Sequence, residues 1–555
     1  MERERERSHW GWGWEDEALG AAELRAAAAG LTQHLGFGSP EPEAPVALAA
    51  VRLPPPRLRP PAGAPAGLWA DDLPARVRHA CGRAYRDVVR AFRGRFDHPP
   101  DLVARPRDEH EVEQVLAWAA DAGAAVIPFG GGTSVVGGVE GRVGDRFEGV
   151  VSLDLRRLDR VLAVDDVSLA ARVQAGVLGP ALEAQLASRG VTLRHYPQSF
   201  QLSTVGGWIA TRAGGHFATL QTHVDDLVES ITAIAPAGRW ASRRLPGSGA
   251  GPSPDRLLLG SEGTLGVVTE AWLRVRRRPL HRAGRAIRFE AGFAAGAEAV
   301  RALAQSGLHP ENCRLIDPAE AALTFAGDGS AALLVLGFES AREPVEPRLE
   351  RALAICREAG GRWEERPEGA RGGAVGSWRE AFLRAPYLRD VLVAAGVLSE
   401  TFETAITWER LERFVATVRG AVEARVRELC GAGTVTCRLT HAYPDGAAPY
   451  FTVVAPVVRG EEVATWDAIK QVAGEAIVAG GGTITHHHAV GRDHRPWYDR
   501  QRPDPFAAAL AGAKAAVDPA GILNPGVLLD PQPGGGAGVG GAAAGGGAAA
   551  RPPSL

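Results

Sequence analysis

Three glycine-rich loops hold the residues whose types and spacing could do chemistry. The first runs Pro128, Phe129, Gly130, Gly131, Gly132, Thr133, Ser134, straight after a short apolar run, Ala124 to Ile127, that predicts a buried strand. Consecutive glycines let backbone N–H groups converge and bring the chain close to a ligand, and two hydroxyls follow as further donors. That chemistry suits a phosphate. A Rossmann fingerprint starting at Gly130 would need Gly or Ala where Val135 stands, and a Walker A loop needs Gly-Lys-Ser/Thr where Val136 precedes Gly137 and Gly138. Alone, the stretch also fits a surface turn. A second loop holds Pro197, Gln198, Ser199, Ser203, Thr204, Gly206 and Gly207, and runs through Trp208 into Ala210, Thr211, Arg212 and Ala213. A third holds Glu262, Gly263, Thr264, Leu265 and Gly266 and passes through Val267 and Val268 into a strand. Three such loops, each joining apolar elements, point to a large cofactor threaded between backbone segments.

Further along stand His486, His487 and His488. Histidine triplets serve as metal sites or as surface tracts. On a strand at most two of the three share a face, and Asp493 and His494 form no recognised ligand spacing with them, so no metal is expected. Tyr450, beside Phe451 and a valine-rich run, reads on sequence alone as a core tyrosine. Arg314 and Arg389 read on sequence alone as surface salt-bridge residues.

The positioning elements follow from periodicity. Pro74 to Gly94 has the apolar spacing of one amphipathic helix, and the proline-rich stretch 53–66 reads as a linker. Trp10, Trp12 and Trp14 suit an extended segment packing one face on a larger body. Leu102 to Ala104, a helix N-capped by Asp108 with Glu111 as its capping-box partner, and the strand before Gly130 make a parallel β–α–β unit. Strands are expected at Gly149 to Asp154, Ser168 to Val173 and Val267 to Val275, and a helix at Leu178 to Arg189. Beyond Pro279 the pattern becomes α+β. Helices are expected at Phe293 to Gln305, Val345 to Ala359, Glu409 to Leu429, Glu461 to Ile477 and Asp504 to Val517. Strands are expected at Ala331 to Phe338, Val435 to Leu439 and Tyr450 to Val458. Glu364 to Ser377 reads as a polar loop and Pro531 to Leu555 as a disordered tail. The expected division is an N-terminal arm and helical segment (1–98), a cofactor domain (99–280), a cap or substrate domain (281–490), a C-terminal segment packing back on the cofactor domain (491–530) and the tail (531–555).

At 555 residues and a net charge of −3, the chain has ample core and no basic excess for nucleic acid. Five scattered cysteines without CxxC spacing indicate a reducing compartment. No signal peptide, spanning helix or peroxisomal address is evident, so a cytoplasmic location is expected. Lys470 and Lys514 are the only lysines. With the Ala/Gly/Arg bias, that resembles codon composition rather than function.

The three loops and the tail Ile522, Leu523, Asn524, Pro525, Gly526 resemble the FAD-binding domain of the vanillyl-alcohol-oxidase/p-cresol-methylhydroxylase (PCMH) family. That implies an α+β fold: a PCMH-type FAD-binding domain plus an α+β cap. Over Trp10 to Leu529 the chain is similar to a narrower group, the alkylglycerone-phosphate synthase (alkyl-dihydroxyacetonephosphate synthase) family. The Trp10–Trp14 motif, Gly130–Ser134, Ser203–Trp208, Gly260–Val267, Ser399–Thr404 and His486–Gly491 carry this resemblance. It implies non-covalent FAD held by the loop residues named above, Tyr450 as acid/base, Arg314 and His486 to His488 as residues needed for activity, and Arg389 binding substrate. The implied substrates are an acyl-dihydroxyacetone phosphate and a long-chain alcohol, the acyl group being exchanged for an ether with no net redox change. A free tyrosine has a pKa near ~10, so a cation or His must assist its deprotonation. The resemblance further implies a fatty-chain tunnel in the second domain, peripheral membrane contact at its mouth and a homodimer. His441 and Pro444 depart from the family pattern.

Two rivals have different signatures. An FAD-dependent oxidase or dehydrogenase of a 2-hydroxy acid or alcohol usually carries Gly-Glu-His-Gly where the His triplet stands. A catalytically silent flavin scaffold would have no need to keep Tyr450, Arg314 and the triplet together.

Overall fold

The computed structural model describes residues 5–364 and 387–530. The disordered tail and most of the polar loop expected from Glu364 lie outside the described residues.

The run Ala124–Phe129 is a buried strand, and with Leu102–Ala104 it flanks Gly149–Asp154, both pairing parallel to it. The β–α–β unit therefore forms with a third strand inserted at its centre. The intervening helix, Glu109–Asp121, begins as its sequence dictates: Asp108 accepts a hydrogen bond from the Glu111 N–H at 2.9 Å, and Val112, Val115, Leu116 and Ala119 are buried. The reciprocal half of the capping box is displaced by one residue, because the Glu111 carboxylate takes the N–H of Arg107 instead. A second, antiparallel sheet follows in the order 161–165, 170–174, 267–274, 228–235, 238–241. Its Ala170–Gln174 strand starts two residues later than expected, after Leu169 turns at φ 50°.

The expected helix from Pro74 to Gly94 is two helices, Leu73–Arg78 and Tyr85–Phe92. Gly82 sits at the break because a Cβ there would lie 2.2 Å from the Ser134 carbonyl oxygen, and the Arg83 N–H donates to that same carbonyl at 2.6 Å. The interruption thus braces the first glycine loop. Nor is the proline-rich stretch a free linker: Leu58 is buried in the core of the parallel sheet, and Arg57 pairs with the buried Asp101 at 2.8 Å.

Residues 281–456 build a largely antiparallel sheet in the order 281–289, 332–340, 312–316, 434–442, 446–456, 397–403. Period-two alternation gives it two unlike faces. Phe451, Val453, Cys437, Leu439, Cys313 and Leu315 pack under the helices Phe293–Gln305, Glu346–Glu358, Trp408–Cys430 and Glu462–Ala479. The opposite face carries Arg314, Ser399, Thr401, Arg438, Tyr450 and Thr452, and roofs a cavity over the glycine loops.

Ile522 to Asn524 returns beside the first sheet. Val126 donates to the Ile522 carbonyl, the Asn524 N–H donates to Val126, and the Asn524 amide donates to Gly138 and Glu262 carbonyls. The two lysines prove structural. Lys514 donates to the carbonyls of Thr264 and Leu523 and to Asp518, and Lys470 bonds Glu400 at 3.1 Å and His494 at 3.3 Å. A compact ammonium fits such enclosed sites where a planar guanidinium does not.

The tryptophan arm is not extended. It folds as a tight hairpin with an Arg7–Trp14 bridge and Gly13 at φ 95°. Trp12 is buried and its N–H donates to the Asp390 carboxylate. Burial pushes that carboxyl from its ordinary 3.8 up to about 7, against the opposing pull of the Trp12 hydrogen bond. A carboxyl whose pKa rises on folding binds its proton more tightly in the folded state, so its contribution to stability is greatest below about pH 4 and is lost as pH rises towards 7. Asp390→Asn keeps the acceptor and removes the charge. Its Tm should therefore exceed that of the unmodified protein by a margin that widens from pH 5 to pH 8, as differential scanning fluorimetry would show.

Candidate active site

The cavity measures about 800 Å³ and has two ends. One lies among the glycine loops. Pro128 to Ser134, Pro197, Gln198, Ser199, Ser203, Thr204, Gly206, Gly207, Ala210, Thr211, Ala213, Glu262, Gly263, Gly266 and Val268 line it. Four residues of the expected set turn their side chains elsewhere. Arg212 pairs with Asp225, Thr264 bonds the Ser261 carbonyl, and Leu265 and Val267 are buried in the cores beneath. Phase alternation along the strand from Val267 accounts for the last of these: only Val268 faces the cavity.

The loop end fits a dinucleotide. Gly131 packs so tightly that a Cβ would lie 1.8 Å from the Leu202 carbonyl oxygen, so the first and second loops close on one another only with glycine there. Among the described residues nothing accepts from the buried N–H groups of Gly131 and Gly132. Buried donors of that kind call for an acceptor, and a cofactor diphosphate would meet it. Thr204 caps the helix Val205–Thr211 by accepting from Gly207, aiming further donors into the same space.

The sheet roof brings Tyr450, Arg438 and Arg314 over this end. Tyr450 and Arg438 are direct partners in register, and the guanidinium lies 3.8 Å from the phenol ring centre. Burial raises the Tyr450 pKa and the Arg438 charge opposes the rise. The hydroxyl reaches Gln198 at 3.4 Å. Arg438 is itself held by an ion pair with the buried Glu320. Arg314 is buried and donates to the His216 carbonyl at 3.3 Å. Burial, and then the Arg438 charge, depress its pKa. Arg389, on the helix 387–394, lines the cavity while donating to the Arg83 carbonyl at 2.9 Å.

The histidines lie on a turn, not a strand. Glu403, in register opposite Tyr450, accepts from the backbone N–H groups of His486 (2.6 Å), His487 (3.2 Å) and His488 (2.9 Å) and from the Thr485 hydroxyl (2.6 Å). Burial alone would raise this carboxyl, yet it is held below the usual range. The neighbouring imidazoles are pushed towards the neutral form by burial, so the four hydrogen bonds hold the charge. His487 and His488 line the cavity, and the His487 ring lies parallel to Tyr450 with centroids 6.0 Å apart. His486 points away from the cavity. Its Nε2 meets the Tyr443 hydroxyl at 2.7 Å and its Nδ1 meets His487 Nδ1 at 3.1 Å. Burial lowers the His487 pKa to about 3, leaving a neutral ring. His441, His486 and His487 place ligand atoms within 4.8 Å of one another, but the His441 nitrogens already meet Thr440 and the Gly215 carbonyl.

Sequence reasoning missed Glu403, His441 and Tyr443. The signal for Glu403 lay in the Ser399–Thr404 motif, to which no role was attached. His441 reaches the cavity through a β-bulge between Leu439 and His441 that turns the strand end inward.

The far end is apolar. Ala27, Leu31 and Leu35 of the helix Ala21–Leu35 line it with Leu323, Leu392 and Val454, and Leu19, Phe325 and Leu388 stand exposed at its edge. The tunnel expected in the second domain is therefore walled in part by the N-terminal arm. Its Ala-rich helix was passed over because alanine blurs the apolar stripe.

Residues 100–242 match the model of the FAD binding domain, and residues 286–528 that of the C-terminal domain of FAD linked oxidases. With the loop geometry above, this defines an FAD-dependent enzyme of two joined domains. An alkyldihydroxyacetonephosphate synthase of Caenorhabditis elegans is 30% identical over 497 residues, covering 83% of this chain and 81% of that protein. Another, from Dictyostelium discoideum, is 29% identical over 490 residues, covering 83% and 78%. A solved alkyldihydroxyacetonephosphate synthase superposes with a TM-score of 0.79 at 25% identity, over 94% of this chain and 98% of the other. The chain belongs to the alkyldihydroxyacetonephosphate synthase family. FAD is its cofactor.

Proposed function

We propose that the chain makes the ether bond of ether lipids, exchanging the acyl chain of an acyl-dihydroxyacetone phosphate for a long-chain alcohol. The observation that carries this reading is the two-ended cavity: a polar end, where Tyr450, Arg314 and His487 meet the cofactor loops, opening onto an end lined by apolar side chains. FAD held by the three glycine-rich loops would supply an electrophilic oxidised flavin, with no net redox change. Arg314 and Arg389 suit a phosphate dianion. An incoming anion would relieve the pressure that burial and Arg438 place on the Arg314 charge. Tyr450 is the group to move the C1 proton, with Arg438 over its ring favouring the phenolate.

The test is anaerobic. The yellow protein is mixed with acyl-dihydroxyacetone phosphate and labelled hexadecanol, and the products are read by mass spectrometry. Labelled ether with the flavin spectrum returning to its oxidised form supports the transferase. Flavin bleaching by a hydroxy acid alone, without ether, would restore the oxidase, which the family relationship favours less.

The exposed Leu19, Phe325 and Leu388 at the apolar mouth support peripheral docking on a lipid surface, although among the described residues no helix is long and apolar enough to cross a membrane. Leu31→Trp should shorten the chain preference, lowering kcat/KM for hexadecanol relative to octanol about tenfold. A competition assay with both alcohols checks this. We also propose a homodimer, which light scattering tests.

A further inference from the structure

Behind the first glycine loop, on the side of the tryptophan arm, lies a second, smaller cavity of about 20 Å³ lined by Arg7, Arg78, Arg83, Arg105 and Arg156, by Glu6 and His79, and by the backbone of Gly131 and Gly132. Arg7 is 94% buried by residue. Its Nη1 donates to the Leu202 carbonyl at 3.0 Å, but its Nε and Nη2, both buried, meet no acceptor. Arg105 Nε is likewise buried without one. A guanidinium keeps its proton in a protein, so Arg7 is a buried cation whose charge has to be offset.

The surroundings do not offset it. Arg83 spends its donors on the carbonyls of Ser8, Gly11 and Gly82, which satisfies hydrogen bonding without neutralising charge. Asp154 is taken by Arg156 at 2.7 Å and by His79 at 3.1 Å, and stands 3.8 Å from Arg105. Glu6 pairs with Arg78 at 3.0 Å. Among the described residues, no carboxylate forms an ion pair with Arg7. The Trp14 ring, 5.5 Å from the Arg7 guanidinium, adds only a weak attraction. The space is about that of one water-sized probe, too small for phosphate. A water would satisfy the donors but leave the Arg7 charge without a counter-ion.

We propose that this cavity is a binding site for a monatomic anion of the halide class, physiologically chloride, held by Arg7 Nε and Nη2 with Arg105. Its position gives it a task. Arg7 bonds the Leu202 carbonyl against which Gly131 closes, and the Arg7 carbonyl accepts from Arg78 at 2.9 Å. The ion pins the tryptophan arm to the back of the loop that carries the cofactor diphosphate, and its loss loosens FAD.

The test uses the holoenzyme. Crystals grown with bromide replacing chloride should show one anomalous peak in contact with Arg7 Nε and Nη2. In solution, chloride replacing gluconate at constant ionic strength should raise Tm saturably by a few degrees and slow the appearance of free-flavin fluorescence on warming. Arg7→Met should abolish both responses. Should that variant fail to fold, Arg105→Gln leaves the arm intact and should move the chloride midpoint several-fold higher. A site without bromide signal, with a Tm equal in chloride and gluconate, assigns the donors to water and overturns the proposal, as does FAD loosened by Arg7→Met in a protein that is indifferent to halide.

Discussion

Glu403→Gln should lower kcat by about two to three orders of magnitude while the protein stays folded and yellow. Its carboxylate takes three successive backbone N–H groups and a hydroxyl. A glutamine offers one acceptor and turns an NH2 towards donors, so at least one buried N–H loses its partner at a cost of about 1–3 kcal/mol. The cheapest relief is movement of the 485–488 turn, which carries His487 and His488 away from Tyr450. A misplacement of about 1 Å costs about 10²-fold in rate. Glu403 touches no substrate and acts by positioning, so a structural defect has to be separated from a catalytic one. The separating readouts are single-turnover kinetics at saturating alcohol, the FAD content, and Glu403→Asp, which keeps the charge and should recover part of the rate. Full activity in Glu403→Gln would show that the turn is held by something else.

Tyr450→Phe should be as severe in rate and gentler on structure. The phenyl ring keeps the stacking with Arg438 and His487 and loses the hydroxyl with its contacts to Gln198, at 3.4 Å, and Thr401. If Tyr450 moves the C1 proton, kcat falls by about 10² to 10⁴, with KM for acyl-dihydroxyacetone phosphate little changed because the phosphate contacts remain. Exchange of the C1 proton with deuterated solvent, followed by mass spectrometry in the absence of alcohol, should vanish with it. Unchanged exchange in the variant would transfer the base role to His487.

Much of the fold was open to reading in the sequence where one periodicity dominates. The helices Phe293–Gln305 and Asp504–Val517 lie where the spacing puts them. Reading failed where a tertiary contact overrode a local pattern. The helix expected through Cys81 breaks because Gly82 must approach Ser134. The step from the Leu439–Pro449 pair to the His441–Ala448 pair required a bulge that no spacing rule anticipates. The strand His281–Phe289 was missed because it is an edge strand whose residues, arginines among them, stay half exposed, leaving little apolar alternation. The glycine loops were legible because their need for close backbone approach leaves a compositional trace. Glu403 left almost none: an acidic residue that grips backbone looks, in sequence, like one that faces water.

The caged lysines have a consequence for the protein's exterior. Both ammonium groups are spent inside, so positive surface charge rests on arginine and histidine. Enzymes that acetylate or ubiquitinate lysine side chains find no accessible target on this protein, and amine-reactive dyes should leave both lysine side chains unlabelled while it is folded. Labelling at Lys470 or Lys514 would then report directly on opening of the interior.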